Sequence, residues 1–209
     1  MKPGPNTRTA LLDRAAVVVN YRTGVTVLLT GDTLNRWLTA LPAGGAPAPV
    51  TVRGSDPSWG TVESPVRLQA LTAPPWRWRL PASACLLLVL LAREIGSSST
   101  RFARLLRLAE AGRALRAADP TGARLAVRSV RWAARRVPAR VACLEESTAA
   151  SLLLALTGRG GAWRHGVATD PVRLHAWICD DRGQPVEEPA HTCQYTVLNT
   201  SNHRGVDVR

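Results

Sequence analysis

The chain has 209 residues, 45% of them hydrophobic, which is enough apolar material for a packed core and too much for a disordered polypeptide. That length suits one sizeable domain, or a small domain joined to a moderate one. The net charge of +12 rests on arginine, since Lys2 is the only lysine. An arginine- and alanine-rich chain can acquire such a charge through codon bias, so it indicates no more than an acidic partner.

The first structured stretch runs from Ala16 to Leu29. Two β-branched runs flank Asn20-Tyr-Arg-Thr-Gly24, which predicts a hairpin with glycine at a position wanting positive φ. Thr30-Gly-Asp32 then opens a short helix with Leu34, Trp37, Leu38 and Leu41 on one face. Residues 42–60, rich in Pro and Gly, read as a linker, and Gly60 to Leu68 as a weak strand. The apolar run Leu80 to Ala92 is 13 residues long, short of the roughly 20 needed to cross a bilayer. A buried core helix is expected there, although the flanking Trp76, Arg77, Trp78 and Arg79 also suit contact with a membrane surface.

Two arginine-studded helices are expected between Arg101 and Val137, separated by Asp119-Pro120-Thr-Gly122. Eleven arginines lie between Arg101 and Arg140, and they read first as a solvated outer face. A surface for peptide or lipid comes second, and nucleic acid is disfavoured because no recognition motif or aromatic platform accompanies the charge. After Pro138 a helix begins near Ala142-Cys143 and stops at Thr157-Gly158. Strand-like pieces follow at Ala162 to Ala168, Leu174 to Cys179 and Tyr195 to Leu198, with a turn at Asp180 to Gly183 leading into Pro185-Val-Glu-Glu188.

The cysteines Cys85, Cys143, Cys179 and Cys193 form no C-x-x-C pair and follow no signal peptide, so reduced thiols in the cytoplasm are expected. His191 and Cys193 lack a second ligand pair at zinc-site spacing, and no metal or cofactor is expected. Cys143 stands out because it sits at a helix N-terminus, where unpaired N–H groups and the helix dipole stabilise a thiolate. Glu145 and Glu146 would oppose that thiolate, so a cationic partner is needed. His175, sharing a strand face with Trp177, is the candidate base. The next strand, expected over Pro185-Val-Glu-Glu188, offers an acid to orient its imidazole: Glu187 and Glu188 are adjacent, so only one of them can face His175, and Asp181 would be solvated in the turn, which favours those two.

In order along the chain stand Val137-Pro-Ala-Arg-Val-Ala-Cys143-Leu-Glu-Glu-Ser147, Trp163-Arg-His-Gly-Val167, Leu174-His-Ala-Trp177, Pro185-Val-Glu-Glu-Pro189 and Tyr195-Thr-Val-Leu198. Together they resemble the B protein of lasso-peptide biosynthesis, a transglutaminase-type, papain-like cysteine peptidase that removes the leader from its precursor. The resemblance covers roughly residues 137–200 and implies an α+β fold with Cys143 as nucleophile and His175 as base. It places the third member at Glu188, where many relatives carry aspartate, with Glu187 as the fallback. It also implies a precursor peptide as partner and a separate ATP-dependent cyclase; nothing in this chain suggests ATP binding. Val17 to Leu41 is similar, more weakly, to the opening of a PqqD-like leader-recognition domain. The implied division is residues 1–79 for that unit with its linker and 80–209 for the peptidase. The same Cys–His pair would also serve an amidase or acyltransferase, and a precursor-binding scaffold without catalysis is a further alternative.

Overall fold

A computed structural model describes residues 6–12, 14–40, 73–169 and 172–200. The segment 42–60, the strand expected at 60–68 and Leu41 lie outside the described residues. The chain opens with strands β1 (Thr7–Leu12), β2 (Ala15–Asn20) and β3 (Thr26–Thr30), followed by helix α1 (Gly31–Thr39). Helices α2 (Trp76–Glu94), α3 (Arg101–Ala109), α4 (Pro120–Ala134) and α5 (Cys143–Leu156) come next. Strands β4 (Ala162–Thr169), β5 (Val172–Cys179), β6 (Thr196–Val197) and β7 (Asn199–Thr200) finish it. The architecture is α+β, with two small antiparallel sheets ordered β3-β2-β1-β7 and β5-β4-β6.

The expected hairpin is β2–β3, and Gly24 sits in its turn at φ +77°, where a side chain would be strained. The sheet contains more than the hairpin, however. β1 pairs along the whole of β2, and β7, from the far end of the sequence, pairs with β1 at Arg8 and Thr9. β1 escapes a reading by alternation because two of its buried positions are the polar Thr7 and Thr9. One face of this sheet packs Ala16 and Val18 on Leu34 and Trp37 of α1. The other packs Val17, Val19 and Tyr21 against Val167 and Leu198, with Phe102 beside them.

Helix α5 is central. Ser147, Thr148, Ala149, Ala150, Ser151, Leu153 and Leu154 are buried on several sides, because α2, α3, α4 and β5 all pack on it. Its Leu/Ala-rich sequence favours helix, and Gly158 at φ +75° ends it in the left-handed conformation usual after a last turn. α4 starts from Asp119, whose carboxylate accepts the N–H groups of Thr121 and Gly122, with Pro120 at the first helical position. Asp119-Pro120 is therefore the opening of α4 itself and more than a break between helices. α3 stops earlier than expected, at Ala109, and the chain turns past Gly112, where a Cβ would lie 3.1 Å from that of Ala155.

The expectation of a buried core helix at 80–92 holds for only one side of α2. Ala82, Cys85, Leu86, Val89 and Leu90 are buried in the helical core, each large side chain contributing about 1.5–3 kcal/mol. Leu80, Leu87, Leu88 and Leu91 are exposed on the other side. Among the described residues no helix is long and apolar enough to cross a membrane.

Candidate active site

Cys143 is the first residue of α5, and the extended Ala142 precedes it at φ −98°, ψ 174°. The helix opening is tied down by Glu145, whose Oε2 accepts the Ala142 N–H at 3.1 Å. N–H groups at the first positions of a helix have no acceptor within it. Here the Leu144 N–H is directed at the Cys143 sulfur, as is the Ala176 N–H from β5. The two acids that should oppose a thiolate are both occupied: Glu145 lies 3.4 Å from Arg93, and Glu146 pairs with Arg131.

His175 stands on β5 opposite Gly166 of β4. Strand alternation puts it on the same face as Trp177, and the two rings stack at 16° with centroids 5.7 Å apart. Tyr195 closes in from the third side, 5.3 Å from the imidazole. Gly166 makes this possible, because a Cβ there would fall 2.7 Å from the Trp177 ring and 3.0 Å from the Thr196 carbonyl. The imidazole is thus held between aromatic walls with few rotamers open to it.

The structure brings Cys143, His175 and Glu188 together. His175 Nε2 lies 2.7 Å from Glu188 Oε2, and the imidazole shares its pocket with the Cys143 sulfur and interacts with it. With Nε2 engaged by the carboxylate, Nδ1 is the nitrogen left for the sulfur. Burial pushes the Cys143 thiol up, but the His175 contact and charge and the two backbone N–H groups outweigh it, and the net shift is downward. His175 moves the other way, to about 9, through its contact with Cys143 first and Glu188 second, against the cost of burial. Opposite shifts in a touching pair favour thiolate with imidazolium as the resting state.

The acid does not stand on a strand, as the Pro185-Val-Glu-Glu188 pattern suggested. Pro185 makes an isolated bridge to Cys179, and then Glu187 takes a left-handed φ of +56°. Glu188 points to His175 and is 6% exposed, whereas Glu187 pairs with Arg124 and Arg128. Asp181 is exposed in the turn, away from the cluster. Arg131 is the residue that sequence reasoning missed: it reaches Glu146, the Glu187 carbonyl and, at 2.9 Å, Glu188 Oε1. Its only signal was the i, i+4, i+7 spacing with Arg124 and Arg128, which places the three on one face of α4.

The pocket over these residues holds about 160 Å³ and is also lined by Val127, Val141 and Ile178. That is below the roughly 300–1,000 Å³ of an enclosed small-molecule site, and it fits the reacting bond and a neighbouring side chain of a longer substrate. A larger cavity of about 260 Å³, between Arg8, Glu110 and Trp163, contains none of Cys143, His175 or Glu188. Among the described residues no group of three His, Cys, Asp or Glu is placed to hold a metal ion.

A profile of the transglutaminase-like superfamily matches residues 86–200, from within α2 to the end of β7. The chain belongs to that superfamily. Membership of the transglutaminase-like superfamily, which includes cysteine peptidases and transglutaminases, points to cysteine-based catalysis. The matched segment takes in Cys143, His175 and Glu188 and leaves out β1 to α1. Neither a curated protein nor a solved structure matches the chain.

Proposed function

We propose that this protein is a cysteine peptidase that removes the leader from a ribosomally made precursor during lasso-peptide or related maturation, with Cys143 as nucleophile, His175 as acid and base and Glu188 as orienter. The observation that carries the reading is the run of contacts from the sulfur of Cys143, the first residue of α5, through His175 to the buried Glu188 carboxylate. The motif order around Cys143, His175 and Glu188 supports the lasso-type substrate.

The Cys143 thiolate attacks the carbonyl carbon at the leader–core junction. N–H groups at the start of α5 face the developing oxyanion. The C–N bond breaks as His175 gives its proton to the leaving amine, and the leader remains as a thioester. His175, now neutral, takes a proton from water, whose oxygen displaces the sulfur and frees the leader carboxyl. Leader recognition falls to the N-terminal sheet. Its β1 edge is taken by β7, while β3 pairs only with β2 among the described residues, so an extended leader has the β3 edge to add to.

The test is incubation of the whole chain with a candidate precursor, followed by mass analysis. Wild type should release leader and core, with one water added across the cut. Cys143→Ala should keep the fold and cut nothing; undiminished cleavage by that variant ends the proposal. An acyltransferase would instead leave an amine's mass on the leader C-terminus. The precursor's identity would follow from the candidates it cuts, and a separate ATP-dependent cyclase would consume the freed core.

A further inference from the structure

The arginine-rich helices are expected to present a solvated face, yet all three arginines of α4 pair with acids, Arg124 while still 58% exposed. Arg124, Arg128 and Arg131 lie on one helical face and converge on two consecutive acids, Glu187 and Glu188. Arg124 and Arg128 take the two oxygens of the Glu187 carboxylate at 3.3 and 3.1 Å. Arg131 is the most committed. One nitrogen donates to the Glu187 carbonyl, another to Glu188 Oε1 at 2.9 Å, and the third pairs with Glu146 in the first turn of α5.

This geometry matters because of the backbone it restrains. Glu187 has φ +56°, a conformation that a residue with a side chain rarely adopts, and it immediately precedes the residue whose Oε2 meets His175. A helix of fixed geometry thus grips both the carbonyl of the strained residue and the free oxygen of the next carboxylate. We propose that Arg131 is a positioning residue that holds Glu188 against His175 and, through Glu146, fixes that assembly to the helix carrying Cys143. It touches neither the sulfur nor the imidazole; it acts through Glu188. A planar guanidinium suits the task because one rigid fork reaches three acceptors, which an ammonium does not reproduce. The inference rests on reading Cys143, His175 and Glu188 as one reacting unit, but not on the substrate being a leader peptide.

The experiment uses the full chain and no peptide. The rate of Cys143 alkylation by iodoacetamide is followed from pH 4 to 10, with the label located by peptide mass because Cys193 is exposed and Cys143 only partly so. Each profile gives the pH at which the reactive thiolate forms. Arg131→Met and Glu188→Gln should both move that midpoint upward, by about one pH unit, and slow labelling about tenfold at a pH below both midpoints. Adding Arg131→Met to Glu188→Gln should change nothing further, since the arginine acts through the acid. Arg131→Lys should fall between wild type and Arg131→Met.

A purely structural role would lower the melting temperature while leaving the midpoint in place, and that result overturns the proposal. So do additive shifts in the double variant. If Arg131→Met does not fold, Arg131→Lys decides: a wild-type midpoint overturns the clamp and a raised one supports it. Should these profiles behave as expected while no precursor is cut, the peptidase reading fails and the clamp stands.

Discussion

Two histidines on paired strands, one on each face of the C-terminal sheet, show how far surroundings set chemistry. His165 on β4 lies opposite Ala176 and His175 on β5 lies opposite Gly166, so alternation sends their rings to opposite faces. His165 is buried against the N-terminal sheet, where the Tyr21 hydroxyl lies 2.8 Å from its Nδ1. Burial, then the charges of Arg8 and His175, hold it down at about 4. Burial also pushes the Tyr21 hydroxyl up, so it keeps its proton and donates, which leaves His165 neutral with its hydrogen on Nε2. His175 is partly buried too, yet it rises to about 9, because it has an ionisable sulfur on one side and a carboxylate on the other. Burial alone makes an imidazole inert; an acidic partner on each nitrogen is what keeps a buried one charged.

The largest effect should come from the charged face. His175→Ala removes the cation that holds the Cys143 thiolate, and labelling of Cys143 at pH 6 should fall by about 10²-fold. The same change should alter stability at the alkaline end. His175 has a folded value near 9, above the ordinary ~6.5, so its contribution is complete below pH ~6.5 and is lost as pH rises through 9. Urea titrations across that window should show the decline in wild type and not in His175→Ala. A variant that keeps both the labelling rate and the alkaline decline would remove His175 from the chemistry.

The neutral face predicts the opposite limb. The folded value of His165 is depressed, so between pH ~6.5 and 4 the unfolded chain binds a proton that the folded chain refuses. Stability should therefore fall with acidification through that window, by on the order of 3 kcal/mol. His165→Asn keeps an acceptor near the Tyr21 hydroxyl and has nothing to titrate, so its stability should be flatter from pH 6.5 to 4. Its Cys143 labelling should match wild type. An acid limb unchanged by the substitution would place the titrating group elsewhere.

How much of this was readable beforehand depended on the range of the interactions. The β2–β3 hairpin, the start of α5 at Cys143 and the shared face of His175 and Trp177 are local, following from a glycine turn, a helix opening after Pro138 and strand alternation. The strand β1 was lost to its buried threonines, and its pairing with β7 joins Arg8 to Thr200, which no local pattern announces. The left-handed turn at Glu187 defeated the strand expectation because nothing in Pro-Val-Glu-Glu-Pro marks it as other than extended. Arg131 is hidden for the same reason: its contact with Glu188 spans 57 positions, and it is one of eleven arginines between Arg101 and Arg140 with nothing local to set it apart. Tyr21 stands in the β2–β3 turn by sequence, and nothing near it points to His165, 144 positions away.

The smallest expected effect asks whether the two faces are independent. Tyr21→Phe keeps the ring that packs edge-on to Phe102 at 5.2 Å and lies under the Arg8 guanidinium, and it removes only the hydroxyl. His165 Nδ1 then loses its donor while remaining buried, which should cost about 1–2 kcal/mol of stability near pH 7. Thermal or urea unfolding would read that loss. The labelling profile of Cys143 should not move, because the chain of contacts from Tyr21 ends at a neutral ring whose side chain points away from His175. If the thiolate midpoint does shift, the N-terminal sheet is energetically coupled to the sulfur through β4, and occupancy of the β3 edge would then be felt at Cys143 by the same route.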